Sequence, residues 1–595
     1  VTSQAFNPKR IDLRKQLVFA LCGALLACAS ACSKKGGGGA AGSGATGTPT
    51  AGADAKSGTG AAPGSGSGAN AGAGMSGRVA SGAGAGGGGR SASGGGSGGR
   101  ASSGSGGGNG PTAGTSAAPT GASVLERNNH PSRDGHFVQP TLTKAAAATM
   151  AKDTFAANFT GNMWASPLYF ENGPGGKGLF FSVTTGNDVF ALDEASGAIV
   201  WMKHLGDSPT ANGVSCGNIH PLGILSTPVI DAASRTIYVA GAIGTTSIAR
   251  HEVHALAVDD GTERTGWPVD VSKLSAGSLK FAPPPHNQRS ALSLVNGIVY
   301  VAYGGHVGDC GDYHGWVVGI DAKDPTKTGA WASLGAKGEG IWAAGGMASD
   351  GTSVFAITGN NTAGVADHAT SDGEEVVRIT GLGTFDRADK NLYFPMSWRT
   401  MDSQDADFGA SSPLYLSIAG ATPANYVVAI SKDGHMYLLD SANLGGMAGH
   451  VVDFSVAMGA MSIRTVPAAY TTAMGTHVVF SADGGARCPA GGPTGKVVMS
   501  VLIPPGSPPA PKVAWCATLS GSAAPIATTT DGQSEAIVWY MSGGKLTGVD
   551  GDTGAVVFNG GADTCTAIRQ WTSPIAVKGR IVVGGDGHLC SWSVH

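Results

Sequence analysis

The chain has 595 residues, 98 of them glycine, and a formal net charge of −3. That length allows several domains, yet the glycine excess removes a large part of it from any packed core. Residues 1–32 carry +3 and residues 33–122 carry +5, which leaves −11 for the remainder. An acidic remainder without Lys/Arg clusters excludes nucleic acid as its partner.

At the start, Lys9, Arg10, Arg14 and Lys15 precede an apolar run, 17–27, that is too short to span a bilayer and matches a secretory signal. The run ends Leu25-Leu26-Ala27-Cys28, which resembles a bacterial lipoprotein box. The resemblance implies lipidation of Cys28, with Cys32 after Ala29-Ser30-Ala31 as the second choice. Ala29 in place of Asp implies sorting to the outer membrane of a Gram-negative cell. Residues 36–122 are almost all Gly, Ala, Ser, Thr and Pro, cannot bury a core, and are expected to be disordered. As a coil of about 87 residues they reach roughly 50 Å. The expected organisation is a lipoprotein signal region 1–32, a low-complexity disordered linker 33–122 and a folded head 123–595.

Past Ser123 the texture changes to short runs of Val, Ile, Tyr and Phe broken by Gly, Asp and Asn, which reads as all-β. One hairpin organises it. A strand over 188–192 reaches Asp193-Glu194-Ala195-Ser196-Gly197, and a second strand returns to Trp201. Asp bonds the backbone two residues on and Gly supplies positive φ, so the spacing has a mechanism. The offset from Asp to an aromatic recurs at Asp259 and Trp267 and at Asp550, Gly554 and Phe558, with looser copies at Asp321/Trp331 and Asp440/Phe454. A small residue followed by Pro opens most units: Ser166-Pro167, Thr227-Pro228, Ser412-Pro413, Val466-Pro467, Ala524-Pro525 and Ser573-Pro574.

These openings predict a β-propeller of eight four-stranded blades starting near 164, 226, 290, 342, 411, 466, 524 and 572, with seven as the alternative count. The last unit stops at His595 without a fourth strand. Closure then takes a strand from the N-terminal side, at 155–159 or 137–142.

Nine cysteines divide into Cys22, Cys28 and Cys32 near the signal and six in the head. An even set in an exported protein predicts disulfides, with fifteen pairings open. Within one or two repeats the pairs are Cys488 with Cys516 and Cys565 with Cys590.

Phe190-Ala191-Leu192-Asp193 to Trp201 resembles the repeat of the quinoprotein alcohol dehydrogenase-like superfamily, the PQQ-type propellers. Cys216-Gly217-Asn218, His286-Asn287-Gln288-Arg289, Gly311-Asp312-Tyr313-His314-Gly315-Trp316, Thr358-Gly359-Asn360 and Lys432-Asp433-Gly434 resemble a bacterial subgroup of it. The resemblance spans about residues 150–595. In quinone dehydrogenases of this superfamily it implies PQQ in the central funnel between a Trp and a disulfide of adjacent cysteines, Ca²⁺ on the quinone, and an Asp as base. This head has no adjacent cysteine pair and no Cys-x-x-Cys-His for a c-type haem.

The funnel candidates are His286, Arg289, Lys432, Arg569 and Trp571, which sit at strand entries or unit openings. Trp164 and Trp342 share that place and read as blade packing. His306, Asp309, Asp312 and His314, with Cys310 among them, offer two imidazoles and two carboxylates to a transition metal or Ca²⁺. Asp402, Asp405 and Asp407 read as acidic turn residues. His251-Glu252-Val253-His254 falls one residue short of the zinc-protease spacing. The leading expectation is an exported, lipid-anchored, monomeric binding or scaffold propeller whose partner is an envelope protein, a glycan or a small molecule. The other is a PQQ- and Ca²⁺-dependent oxidoreductase acting on alcohols or sugars.

Overall fold

A computed structural model describes residues 123–364, 367–459 and 463–594. The signal segment, Cys28 and the linker lie outside them. The described residues form eight antiparallel blades around one axis, seven with four strands in chain order and the eighth completed by strands from the N-terminal side. In blade 1 the strands are Leu168–Phe170, Leu179–Val183, Asp188–Asp193 and Ile199–His204, from the axis outward. Blades 2 to 7 follow at 229–270, 286–332, 348–394, 414–455, 468–518 and 526–558.

Both sequence markers have a physical cause. Asp193 Oδ1 accepts the backbone N–H groups of Ala195 and Ser196, and Asp550 Oδ1 those of Asp552 and Thr553. The glycine that ends the turn is needed twice over. Gly554 has φ 73°, and a Cβ there would meet the Trp515 ring at 2.9 Å. Trp515 comes from the outer strand of the preceding blade and donates its indole N–H to Gly551 O at 2.7 Å. Trp201 repeats this on the next blade, donating to Val258 O at 2.9 Å. The aromatic at the end of one repeat is therefore the clamp on the next.

The small residue before Pro works at the axis. Ser166 Oγ accepts the N–H of Ser573, Thr227 Oγ1 that of Ser166, and Ser412 Oγ that of Gly345, each at 2.9 Å. Each bond joins neighbouring blades where the proline removes one backbone donor.

Blade 8 closes the ring as expected of an incomplete last unit. Ala151–Lys152 and Ala157–Asn158 pair antiparallel with the final strand His588–Ser593. The alternative closing segment, 137–142, has a different place. His136–Val138 pairs parallel with Ile526–Thr529, the innermost strand of blade 7.

That pairing is the end of a plug. Residues 124–139 run round the axis and bond to the inner strand of one blade after another. Val124 pairs with Tyr169 of blade 1, and Leu125 O accepts from Ile230 of blade 2. Pro131 O, Ser132 O, Asp134 O and Gly135 O then accept from Ser349, Tyr415, Ala469 and Ala527 of blades 4 to 7. Gln139 bonds Ala576 O and Gly579 N of blade 8. Arg133, fully buried, covers blade 3 by donating to Leu292 O and Ser293 Oγ, reaches Met347 O, and ion-pairs with Glu126 at 2.9 Å. Inner strands that cannot pair across the axis have their polar groups satisfied by this one segment.

Candidate funnel site

Above the plug the axis opens into a cavity of about 220 Å³. Its wall comes from the loops between second and third strands and from the blade-to-blade connections. Arg289, His306, Asp309, Trp342, Asp405, Asp407, Lys432, Arg464 and Trp571 line it. Arg289, His306, Asp309, Lys432 and Trp571 thus meet in one place. Asp312 is exposed, and His286, His314 and Arg569 do not line the cavity. Arg569 instead grips Asp586 through Nε at 3.0 Å and Nη2 at 2.5 Å, with its guanidinium over Trp164.

The acidic side of the cavity is built by a cap. The helix Trp398–Gln404 ends at Asp405, which adopts φ 54° and turns the chain so that Asp405 and Asp407 face inward. Lys432 Nζ donates to Asp407 Oδ2 and to Asp405 O at 3.0 Å. Asp407 Oδ1 accepts the N–H of Asn360 at 3.0 Å. Burial raises the Asp407 carboxyl in spite of Lys432. Glu374, fully buried behind it, is raised by burial and by the Asp407 charge. Two buried oxygens here, Asn360 Oδ1 and Glu374 Oε1, accept no hydrogen bond.

The basic side centres on Arg289. Its guanidinium lies 5.2 Å from the Trp571 ring centre, and its Nε is buried with no acceptor. Burial lowers it to about 10. Trp571 is held at three points. Its indole N–H donates to Arg464 O at 3.2 Å, its carbonyl accepts from Arg127 of the plug, and its backbone sits at φ 68°. Trp342 forms another part of the wall, packed so closely that a Cβ on Gly359 would lie 2.6 Å from its ring. This close approach accounts for the glycine in Thr358-Gly359-Asn360.

His251 of blade 2 and His286 and His306 of blade 3 are each held by a backbone carbonyl. Ala282, Pro283 and Pro284 present three consecutive carbonyls that bond His286 Nδ1 at 2.5 Å, His251 Nε2 at 3.2 Å and His306 Nε2 at 3.0 Å. Burial lowers His286 to about 3 and His251 and His306 to about 4. A carbonyl only accepts, so each ring is a neutral donor. These imidazoles are therefore expected to stay neutral down to about pH 5, with ring-proton shifts in NMR flat from pH 7 to 5. A midpoint near 6.5 would contradict the arrangement. Because their folded values lie below 6.5, the stability they contribute is complete above that pH and falls as the pH drops toward 4.

Three disulfides are formed among the described residues: Cys488–Cys516 and Cys565–Cys590 as expected, and Cys216–Cys310. The last braces the loop of His306 and Asp309 against the connection after blade 1, helped by Gly217 N–H bonding Val307 O at 3.0 Å.

Sequence reasoning placed Asp405, Asp407 and Trp342 elsewhere. The sequence signal for Trp342 was its place at a unit opening, shared with Trp571.

No protein-family model and no curated protein matches the sequence. Solved structures do match. The quinohemoprotein alcohol dehydrogenase from Comamonas testosteroni superposes with a TM-score of 0.54 at 15% identity, over 80% of this chain and 81% of that one. A europium-containing methanol dehydrogenase gives 0.52 at 14% identity, over 78% and 89%. BamB from Moraxella catarrhalis gives 0.43 at 13% identity, over 75% and 100%. At such identities the likeness is one of fold alone: the described residues form an eight-bladed β-propeller like those of the two dehydrogenase structures.

Proposed function

We propose that the head binds a planar, carboxylate-bearing small molecule in its funnel and does so as an exported, lipid-anchored protein. The observation that carries the reading is Arg289. Its half-buried side chain lies over an indole, its Nε is buried without an acceptor, and it makes no hydrogen bond or ion pair among the described residues, an arrangement that an anionic ligand would complete. Trp342 and Trp571 supply flat walls for a ring system.

Export is supported by the three disulfides, which persist in oxidising compartments. Anchoring rests on Cys28. Cys28→Ser is expected to move the protein from the membrane to the soluble fraction on cell fractionation. Retention in the membrane would remove the anchor from the reading.

A second reading, a quinoprotein oxidoreductase, is favoured by the unpartnered oxygens behind Asp407. The residues fit PQQ and a hard cation by type. Arg289 and Lys432 would hold the acidic and quinone oxygens, while Asp407, Asn360 Oδ1 and Glu374 Oε1 offer oxygen ligands to Ca²⁺. PQQ, when bound, supplies a two-electron acceptor for alcohol oxidation. Asp407, raised by burial, would accept the substrate proton. Titration with PQQ, with and without Ca²⁺, followed by a dye-linked oxidation assay separates the readings. Binding without turnover supports the binding protein, and Ca²⁺-dependent turnover supports the enzyme.

A further inference from the structure

Outside the residues that line the funnel, blade 8 gathers three soft-metal ligands. His588 and Cys590 sit two apart on the final strand, so their side chains share one face. Cys565 arrives from the blade 7 to blade 8 connection. The Nε2 and Sγ atoms of the three residues lie within 4.8 Å of one another. Cys565 and Cys590 are buried, and His588 is partly exposed.

The imidazole is oriented for ligation. Its Nδ1 lies 2.9 Å from Asp586 O, and a carbonyl can only accept, so Nδ1 carries the proton. Nε2 therefore presents a lone pair, 3.6 Å from Cys565 Sγ. In a tetrahedral zinc site, with Zn–S of about 2.3 Å and Zn–N of about 2.0–2.1 Å, the N···S edge is roughly 3.6 Å. A backbone carbonyl on the far ring nitrogen is also how metal-bound histidines are held. The other two disulfides have no such third ligand among the described residues.

We infer that Cys565, His588 and Cys590 form a redox-gated zinc site: a disulfide when oxidised, a Cys₂His site when reduced, with water in the fourth position on the exposed side. A dithiol reductant supplies two electrons and two protons. It becomes a disulfide itself while the Cys565–Cys590 bond becomes two thiols. One Zn²⁺ then displaces both thiol protons to solvent. The sulfurs, no longer bonded, separate to van der Waals contact, which is close to the S···S edge that zinc requires.

The test uses the full chain, reduced with dithiothreitol, desalted without oxygen and titrated with Co²⁺ as a coloured substitute for zinc. One equivalent should give a sulfur-to-cobalt charge-transfer band and tetrahedral visible bands, both erased by Zn²⁺ and absent from the oxidised protein. His588→Ala keeps the disulfide and should bind at least 10-fold more weakly. Cys565→Ser should lose the band. Cys22, Cys28, Cys32 and the other disulfide cysteines are common to all variants, so their contribution cancels. A band equally strong in Cys565→Ser, no band in the reduced wild type, or a reduced chain that circular dichroism shows to be unfolded would each overturn the inference.

Discussion

Arg133→Ala is expected to cost the propeller about 3–5 kcal/mol, the largest loss from any single side chain of the plug. Arg133 is fully exhausted in its contacts: it pairs with Glu126, and its other N–H groups reach Arg127 O, Leu292 O, Ser293 Oγ and Met347 O. Removing it leaves the buried Glu126 carboxylate and Leu292 O without their Arg133 donors, while Met347 O keeps the bond from Ser293 Oγ at 3.2 Å. Burial already raises Glu126, and the guanidinium opposes that rise. The measurement is a urea unfolding curve of the full chain. A midpoint within error of wild type would mean that the plug is an ornament of the axis rather than its seal.

Arg289→Met should do the opposite to stability and far more to binding. The methionine keeps apolar contact with Trp571 and removes a half-buried charge whose Nε has no acceptor, so the unfolding midpoint should hold or rise. Affinity for a carboxylate-bearing ligand should fall about 100-fold, about 2.7 kcal/mol, the worth of charge-assisted hydrogen bonds in a dry site. Functional residues often oppose stability in this manner. A variant that loses stability and keeps affinity would assign Arg289 to structure.

The sequence carried the architecture well because propeller repeats are local. The Asp-to-Gly turn and the small-Pro opening are each decided within a few residues, and their recurrence counts the blades. The two short-range disulfides were legible for the same reason. Arg289, Lys432 and Trp571 were legible because strand entries and unit openings point at the axis.

What was hidden is long-range. Residues 124–139 have no apolar period, since they act through backbone groups and two buried arginines, and nothing local says that eight blades will supply their partners. Arg569 was indistinguishable from Arg289 by position, yet Asp586 lies within its reach and claims it. His306, Asp309, Asp312 and His314 are neighbours in sequence, but the loop turns Asp312 to solvent and gives His306 to Pro284 O. Asp407 gained its place only from the left-handed residue two positions before it.

The central claim is that the funnel is an anion site built around Arg289, and calorimetric titration of the wild-type chain with PQQ, a planar tricarboxylate, tests it most directly. The account predicts one saturable site that Arg289→Met weakens about 100-fold, whether or not Ca²⁺ is present. No heat of binding at high micromolar PQQ, or equal binding by the variant, would contradict it.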